Sequence, residues 1–263
     1  MDTAGSGSGS APFVLLHGGR HGGWCWDRVT PLLQAAGHTV FTPSLTGMGE
    51  FSHLLRPDIG LDDHIQVLVD LFECEQIDDA ILVAHSYGGM VATGAMERIA
   101  DRVRRLVYLD ALIPRDGQSV MDLIDEDGRR ALREAAATTH GGAYIPVVDG
   151  TLWGVAEPED VAWVTSMVSP QPFKTYTDRV QSAHRAWRHP GMFIECSVPL
   201  QGTAAIPLEA ARRRSVEDLS FDYRVIDACH DAMVTAPDAL VDVLLENVDD
   251  RPDATVRTLC PEA

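Results

Sequence analysis

Four apolar residues, Ile81-Leu82-Val83-Ala84, run directly into His85-Ser86-Tyr87-Gly88-Gly89-Met90, and a helix-like pattern follows. This order describes a strand, a sharp turn and a helix, with a serine at the apex of the bend and its hydroxyl clear of the backbone. Such a bend has no room for large side chains two positions before or after the serine, and Ala84 and Gly88 fill those positions. The usual pattern is G-x-S-x-G. Alanine at the first glycine still permits the turn, with slightly less space.

A serine hydroxyl is a poor nucleophile at neutral pH. It needs a base to take its proton, and the base needs a third group to orient it and stabilise its charged form. His230, in Asp227-Ala228-Cys229-His230-Asp231-Ala232-Met233, follows the last strand-like segment. The base belongs there when the chain order is Ser, acid, His. Among the other histidines, His85 should leave the turn in another direction, and His17 and His21 read as loop-shaping. Asp110, at the end of the strand after the nucleophile helix, is the first choice for the acid. Glu195, at the end of the next strand, is the rival. Asp227 and Asp231 lie too close to His230 along the chain to reach its far nitrogen. Two backbone N–H groups should face the developing oxyanion. Tyr87 supplies one at a helix N-terminus, and Gly19, in the His17-Gly18-Gly19 loop, the other.

These residues need a scaffold. The pattern predicts strands at 13–16, 38–42, 79–84, 103–109, 192–196 and 221–226, and helices at 24–36, 61–75, 86–99 and 237–247. Pro31 is awkward in the early turns of the first helix, and a Gly/Ser/Thr-rich loop covers 43–56. Strands alternating with helices give an α/β fold: a mainly parallel central sheet of about six strands flanked by helices. From 112 to 189 no strand is evident. Helical patches at 120–124, 129–138, 157–168 and 173–183, punctuated by Pro and Gly, read as an inserted helical cap. The expected organisation is an N-terminal disordered arm at 1–11, a core at 12–111 and 190–263, and the cap at 112–189. Ligands in such folds lie at the carboxyl ends of the strands, where His17, Ser86, Asp110 and the His230 segment all fall. The cap offers His140, Tyr144, Trp153, Trp163, Phe173, Tyr176 and Trp187 as a substrate wall, although aromatic residues at helical spacing more often build core.

The chain has 263 residues and a net charge of −18, from 39 acidic against 21 basic side chains. That charge repels phosphate backbones and anionic surfaces, so neither nucleic acid nor a membrane is an expected partner. Cys25, Cys74, Cys196, Cys229 and Cys260 are scattered and form no C-x-x-C pair. They suggest neither a disulfide framework nor a zinc site, and a cytoplasmic, reducing location fits. Residues 1–11 lack the basic and apolar stretches of a secretory signal, and no apolar run is long enough to span a bilayer. No cofactor or metal is called for, and a homodimer stays open.

The segments 13–26, 36–42, 81–94 and 230–245 resemble the α/β-hydrolase superfamily. More narrowly, they resemble the small-esterase branch that includes plant methylesterases and hydroxynitrile lyases. The run His17-Gly18-Gly19-Arg20-His21-Gly22-Gly23-Trp24-Cys25-Trp26 is similar to that branch's H-G-x-x-H-G-x-W-x-W signature. The resemblance implies Ser86 as nucleophile, His230 as base, and Gly19 and Tyr87 as oxyanion donors. One departure stands out. In the plant relatives the acid follows the penultimate strand in a pattern like C-T-E-D, and here Cys196-Ser197-Val198-Pro199 puts proline there. Some other superfamily members place the acid after the earlier strand, which strengthens Asp110. Lyases of this type carry threonine after the first-strand histidine and lysine after the catalytic one. Gly18 and Asp231 hold those positions, which disfavours cyanide release. Epoxide hydrolases and haloalkane dehalogenases need an aspartate nucleophile, which Ser86 excludes. The expectation is a serine hydrolase of a small-molecule carboxylic ester, thioester or lactone, working through an acyl-enzyme. The alternatives are a slow small-molecule-binding relative and a pathway enzyme catalysing cyclisation or acyl transfer.

Overall fold

Apolar residues alternate along each central strand, and the two sets face opposite layers. In the computed structural model, which describes residues 10–198, 200 and 206–246, Val14, Leu16, Leu82, Ala84, Leu106, Tyr108 and Phe193 belong to one core cluster. Phe13, Leu15, Ile81, Val83, Val107, Leu109, Met192 and Ile194 belong to the other. A strand buried on both faces needs an unbroken apolar run and helices on each side.

The strands are β1 (Phe13–Leu16), β2 (Val40–Phe41), β3 (Ala80–His85), β4 (Val103–Leu109), β5 (Tyr144–Ile145), β6 (Gln171–Pro172), β7 (Gly191–Cys196) and β8 (Phe221–Ile226). The central sheet has six strands in the order β2-β1-β3-β4-β7-β8, and every neighbouring pair in it is parallel. β5 and β6 form a separate antiparallel pair. It lies in the segment where no strand was expected, and at two residues per strand it is too short to leave a period.

Helices α1 (Thr30–Ala35), α2 (Leu61–Cys74) and α3 (Gly88–Ile99) connect the first four strands. The expected helix at 24–36 is divided. Gly23–Trp26 forms a 3-10 turn, and α1 starts only at Thr30, which leaves Pro31 in its first turn. There the missing N–H costs nothing, because first-turn amides have no intrahelical partner. The expected strand at 38–42 shortens to Val40 and Phe41, with the Thr39 carbonyl just before it accepting the Phe13 amide (2.8 Å).

Between β4 and β7 lie α4 (Val120–Leu123), α5 (Glu126–Ala137), α6 (Pro158–Met167), α7 (Lys174–Thr177) and α8 (His184–Arg188). The helix expected at 173–183 stops after one turn. Asp178 is drawn away to accept the Leu61 amide at the start of α2 (3.0 Å), and Val180 exchanges backbone bonds with Gly117 and Gln118. Tertiary pairing outweighs local propensity here.

The described residues end with α9 (Glu209–Glu217), α10 (Ala232–Thr235) and α11 (Pro237–Glu246). α9 has no counterpart in the sequence reading, and the last residue of the helix expected at 237–247 lies outside the described residues. Residues 1–9 of the expected arm, Pro199 and Cys260 also lie outside them. No helix among the described residues is long and apolar enough to cross a membrane.

Candidate active site

Ser86 sits between the end of β3 and the start of α3 with φ +52°, a left-handed conformation that a non-glycine residue adopts only where the surroundings enforce it. The enforcement is visible. The Ser86 amide donates to the Leu109 carbonyl (3.2 Å), and the Ser86 carbonyl accepts from Leu112 and Gly89 (both 3.1 Å). The small residues are required by contact with neighbouring backbone. A Cβ on Gly88 would stand 2.8 Å from the His17 carbonyl oxygen, and one on Gly89 would stand 2.1 Å from that of Leu112. Ala84, at the other small position, is completely buried.

His230 follows β8 and is 1% exposed. Its Nδ1 lies 2.6 Å from Asp110 Oδ2. A carboxylate can only accept, so Nδ1 carries the proton and the lone pair of the neutral ring is left on Nε2. Asp110 comes directly after β4, again with positive φ (+41°), and its amide donates to the Ile194 carbonyl (2.7 Å). Glu195, the rival acid, is elsewhere. Arg212 holds both its oxygens (3.0 and 2.9 Å) and the Tyr223 hydroxyl donates to it. Asp227 accepts from Ser197 (2.8 Å), and Asp231 pairs with His21 Nε2 (3.1 Å).

Three other buried histidines are tied to neighbouring groups. Burial lowers the His17 pKa to about 3, and the ring bridges the Gly18 carbonyl and the Leu45 amide. Burial lowers that of His64 to about 4. Its Nε2 donates to the Thr46 carbonyl, and its Nδ1 accepts from the Tyr87 hydroxyl (2.9 Å), which anchors the Tyr87 side chain. His85 is also held neutral, first by burial and then by the facing His230 ring. Its Nε2 donates to the His230 carbonyl (3.0 Å), so it holds the backbone of His230.

The loop after β1 is clamped on both sides. His21 Nδ1 lies 2.9 Å from the Gly19 carbonyl. The Gln171 side-chain oxygen accepts from the Arg20 amide (2.9 Å), and the Ser169 amide donates to the Arg20 carbonyl (2.9 Å). Gly19 is packed so closely that a Cβ there would lie 2.5 Å from Tyr176 Oη, 2.9 Å from Gln171 Oε1 and 3.6 Å from Tyr87 Cβ. Gly19 and Tyr87 are therefore neighbours in space.

Ser86, Tyr87 and His230 line one cavity of about 160 Å³. Its walls are mostly apolar, with Leu112, Val120, Ile124, Leu132 and Ile145 supplied by the segment between β4 and β7. Of the aromatic wall candidates, Trp153 and Tyr176 line it. Trp163 packs on Trp24, Trp187 lies under Arg115, and His140 meets Tyr144. Two residues at this site escaped the sequence reading. Arg20 occupies an unconstrained position of the H-G-x-x-H-G run, and Gln171 stands between two prolines with no other mark.

This chain matches the alpha/beta hydrolase family over residues 13–243. It is 41% identical over 174 residues to the carbendazim hydrolyzing esterase of Nocardioides sp. (strain SG-4G), covering 63% of this chain and 71% of that protein. It is 29% identical over 259 residues to salicylic acid-binding protein 2 of Nicotiana tabacum, covering 89% and 95%. Among solved structures, an extracellular alpha/beta-hydrolase from a Paenibacillus species superposes with a TM-score of 0.77 at 21% identity, over 90% of this chain and 98% of that one. That last likeness shows the fold alone. The chain belongs to the alpha/beta hydrolase family.

Proposed function

We propose that this protein cleaves a small carboxylic ester through an acyl-enzyme, with Ser86 as nucleophile, His230 as base and Asp110 as the orienting acid. Ser86 Oγ attacks the carbonyl carbon while His230 Nε2 takes its proton. Asp110 keeps Nδ1 protonated and stabilises the imidazolium. The Gly19 and Tyr87 amides hold the oxyanion, where donors fixed in advance act without reorganisation. The imidazolium then protonates the leaving alcohol, and the same ring activates water for deacylation. A thioester or lactone follows the same steps, and the scheme needs no cofactor. Residues 112–189 serve as the cap that closes the apolar side of the cavity. The four described cysteines are free, in keeping with a cytoplasmic setting.

One observation carries the reading. His230 has its Nδ1 proton committed to Asp110, and it lines the same cavity as a serine held at positive φ. The relatives named as esterases agree with it in reaction class. The test is pre-steady-state hydrolysis of p-nitrophenyl butyrate. A burst of p-nitrophenol close to one equivalent per chain, abolished in Ser86→Ala, is expected. Linear release from the first turnover, unchanged in that variant, would refute the scheme.

A further inference from the structure

The cavity contains a cation that the hydrolytic scheme does not use. Arg20 is mostly buried and lines the cavity together with Ser86 and His230. Its guanidinium carbon lies 4.9 Å from the centre of the Trp153 ring, and its Nε is sealed from solvent without a hydrogen-bond partner. Its backbone is fully engaged with Gln171 and Ser169, which fixes where the side chain starts. Its side chain makes no hydrogen bond or ion pair with another described residue, whereas Arg28, Arg104, Arg105, Arg185 and Arg212 each pair with a carboxylate. Asp231 is near enough to act on Arg20 through space, but neither of its oxygens bonds to it: Oδ2 pairs with His21, and Oδ1 has no hydrogen-bond partner.

An arginine stacked on tryptophan is a plausible piece of packing, yet packing alone does not require charge. A methionine stem would cover the same ring without burying an unsatisfied donor. A planar guanidinium with free donors on the wall of a mostly apolar cavity is suited to a carboxylate, which can accept two parallel hydrogen bonds. The rest of the molecule works against an anionic ligand, since the net charge is −18. A local cation in the cavity is the group that could reverse that preference at short range.

We propose that Arg20 binds an anionic carboxylate on the substrate, so that the enzyme takes half-esters or other esters carrying a second, ionised carboxyl group. This rests on the hydrolase reading for its geometry, because the scissile carbonyl must lie at Ser86 while the free carboxylate lies at Arg20. Arg20 is then a specificity residue: it contacts substrate away from the reacting bond. Burial presses its pKa below the ordinary arginine value, partly offset by Tyr176 and Asp231. A group that enters with a negative charge relieves that penalty.

The test is calorimetric titration of the Ser86→Ala protein, in which the ligands cannot be turned over through Ser86. The probes are the monomethyl esters of succinate, glutarate, adipate and pimelate, and the neutral ω-amide counterpart of each. At least one half-ester should bind roughly 10- to 100-fold more tightly than its amide, the range of a charge-assisted hydrogen-bonded pair. Ser86→Ala/Arg20→Met should lose that preference, and Ser86→Ala/Arg20→Lys should keep part of it. Equal affinity for acid and amide throughout the series overturns the proposal, as does a preference that survives Arg20→Met. If Arg20→Met fails to fold, the acid/amide comparison in Ser86→Ala decides alone. Turnover of a neutral ester by the intact protein reports separately on the hydrolase reading, so the two can fail independently.

Discussion

Asp110 and His230 are 120 residues apart in sequence, and their side chains meet at 2.6 Å. Asp110 comes from the end of β4 and His230 from the loop after β8, so β7 lies between the two strands that deliver them. In the proposed mechanism this contact gives Asp110 the role that the plant pattern assigns to a residue after the penultimate strand. The chain's own candidate near that position, Glu195, is committed to Arg212 and Tyr223.

The first prediction separates these two carboxyl groups. Asp110→Asn preserves shape but removes the acceptor that fixes the Nδ1 proton, and kcat should fall about 10³- to 10⁴-fold. Glu195→Gln should leave kcat within about twofold, because its partners lie off the cavity, and should cost at most about 1 kcal/mol of stability. Steady-state kinetics on one ester with urea denaturation of both variants checks this. Equal losses of kcat in the two would refute the assignment.

The second concerns space at the loop after β1. Gly19→Ala places a methyl group 2.5 Å from Tyr176 Oη and 2.9 Å from Gln171 Oε1. The loop must shift, and the Gly19 amide shifts with it. A lost oxyanion donor typically costs about 10²- to 10³-fold in kcat, and the substrate KM should change much less. Gly117→Ala is the control for glycine replacement as such. It also has positive φ (+72°), but nothing stands within 4 Å of the added carbon, so only stability should respond.

Gln171 links the β5–β6 pair to the same loop. Gln171→Leu keeps the volume but leaves the half-buried Arg20 amide without its acceptor, at a cost of about 1 kcal/mol. Thermal unfolding should register that loss. Turnover should fall further than in Gly117→Ala, because the Gly19-Arg20 peptide loses one of its clamps. A Gln171→Leu enzyme with unchanged kcat would show that the loop is held without it.

The fourth prediction is a pH dependence of stability. His17 and His64 are buried as neutral rings, with pKa values lowered to about 3 and about 4 from 6.5. Above pH 6.5 neither state binds the extra proton. As pH falls below that value the unfolded chain takes up protons that the folded chain cannot, so stability is lost on acidification. From about pH 7 to about pH 5 the two rings together should remove about 4 kcal/mol. Reduced self-repulsion of a chain with net charge −18 acts in the opposite direction, so the comparison is made against His64→Gln. That variant can keep the bonds to Thr46 and Tyr87 without titrating, and its urea midpoint should fall less over the same range. Parallel pH profiles for the two proteins would contradict the neutral-ring assignment.

Much of this architecture is legible in the sequence because two physical demands leave strong marks. Strands buried on both faces must be continuously apolar, which locates β1, β3 and the apolar stretches 106–109 of β4 and 192–194 of β7. A serine at the apex of a strand–helix bend must have small neighbours, and the backbone oxygens around Gly88 and Gly89 show why. What was missed leaves no such mark. The helix α9 buries Ala211 and Arg214. Arg214 reaches the Ala186 and His189 carbonyls and covers the Phe221 ring at 4.0 Å. An arginine thus does the packing that a hydrophobic residue usually does, and no apolar stripe appears. The chain from 178 to 183 looks helical, but Asp178 and Val180 find better partners at Leu61 and Gln118. Gln171 and Arg20 matter through contacts that cross more than 150 residues, which no local pattern encodes.

The most direct measurement is the rate and site of labelling by a fluorophosphonate, followed by intact-protein and peptide mass spectrometry. The wild-type chain should take up one adduct, on Ser86. The labelling rate should fall by at least about 10³-fold in His230→Ala and nearly as far in Asp110→Asn, while Glu195→Gln labels like the wild type. An adduct on another residue, or labelling of Ser86 at an undiminished rate without His230, would contradict a serine activated by the His230–Asp110 pair.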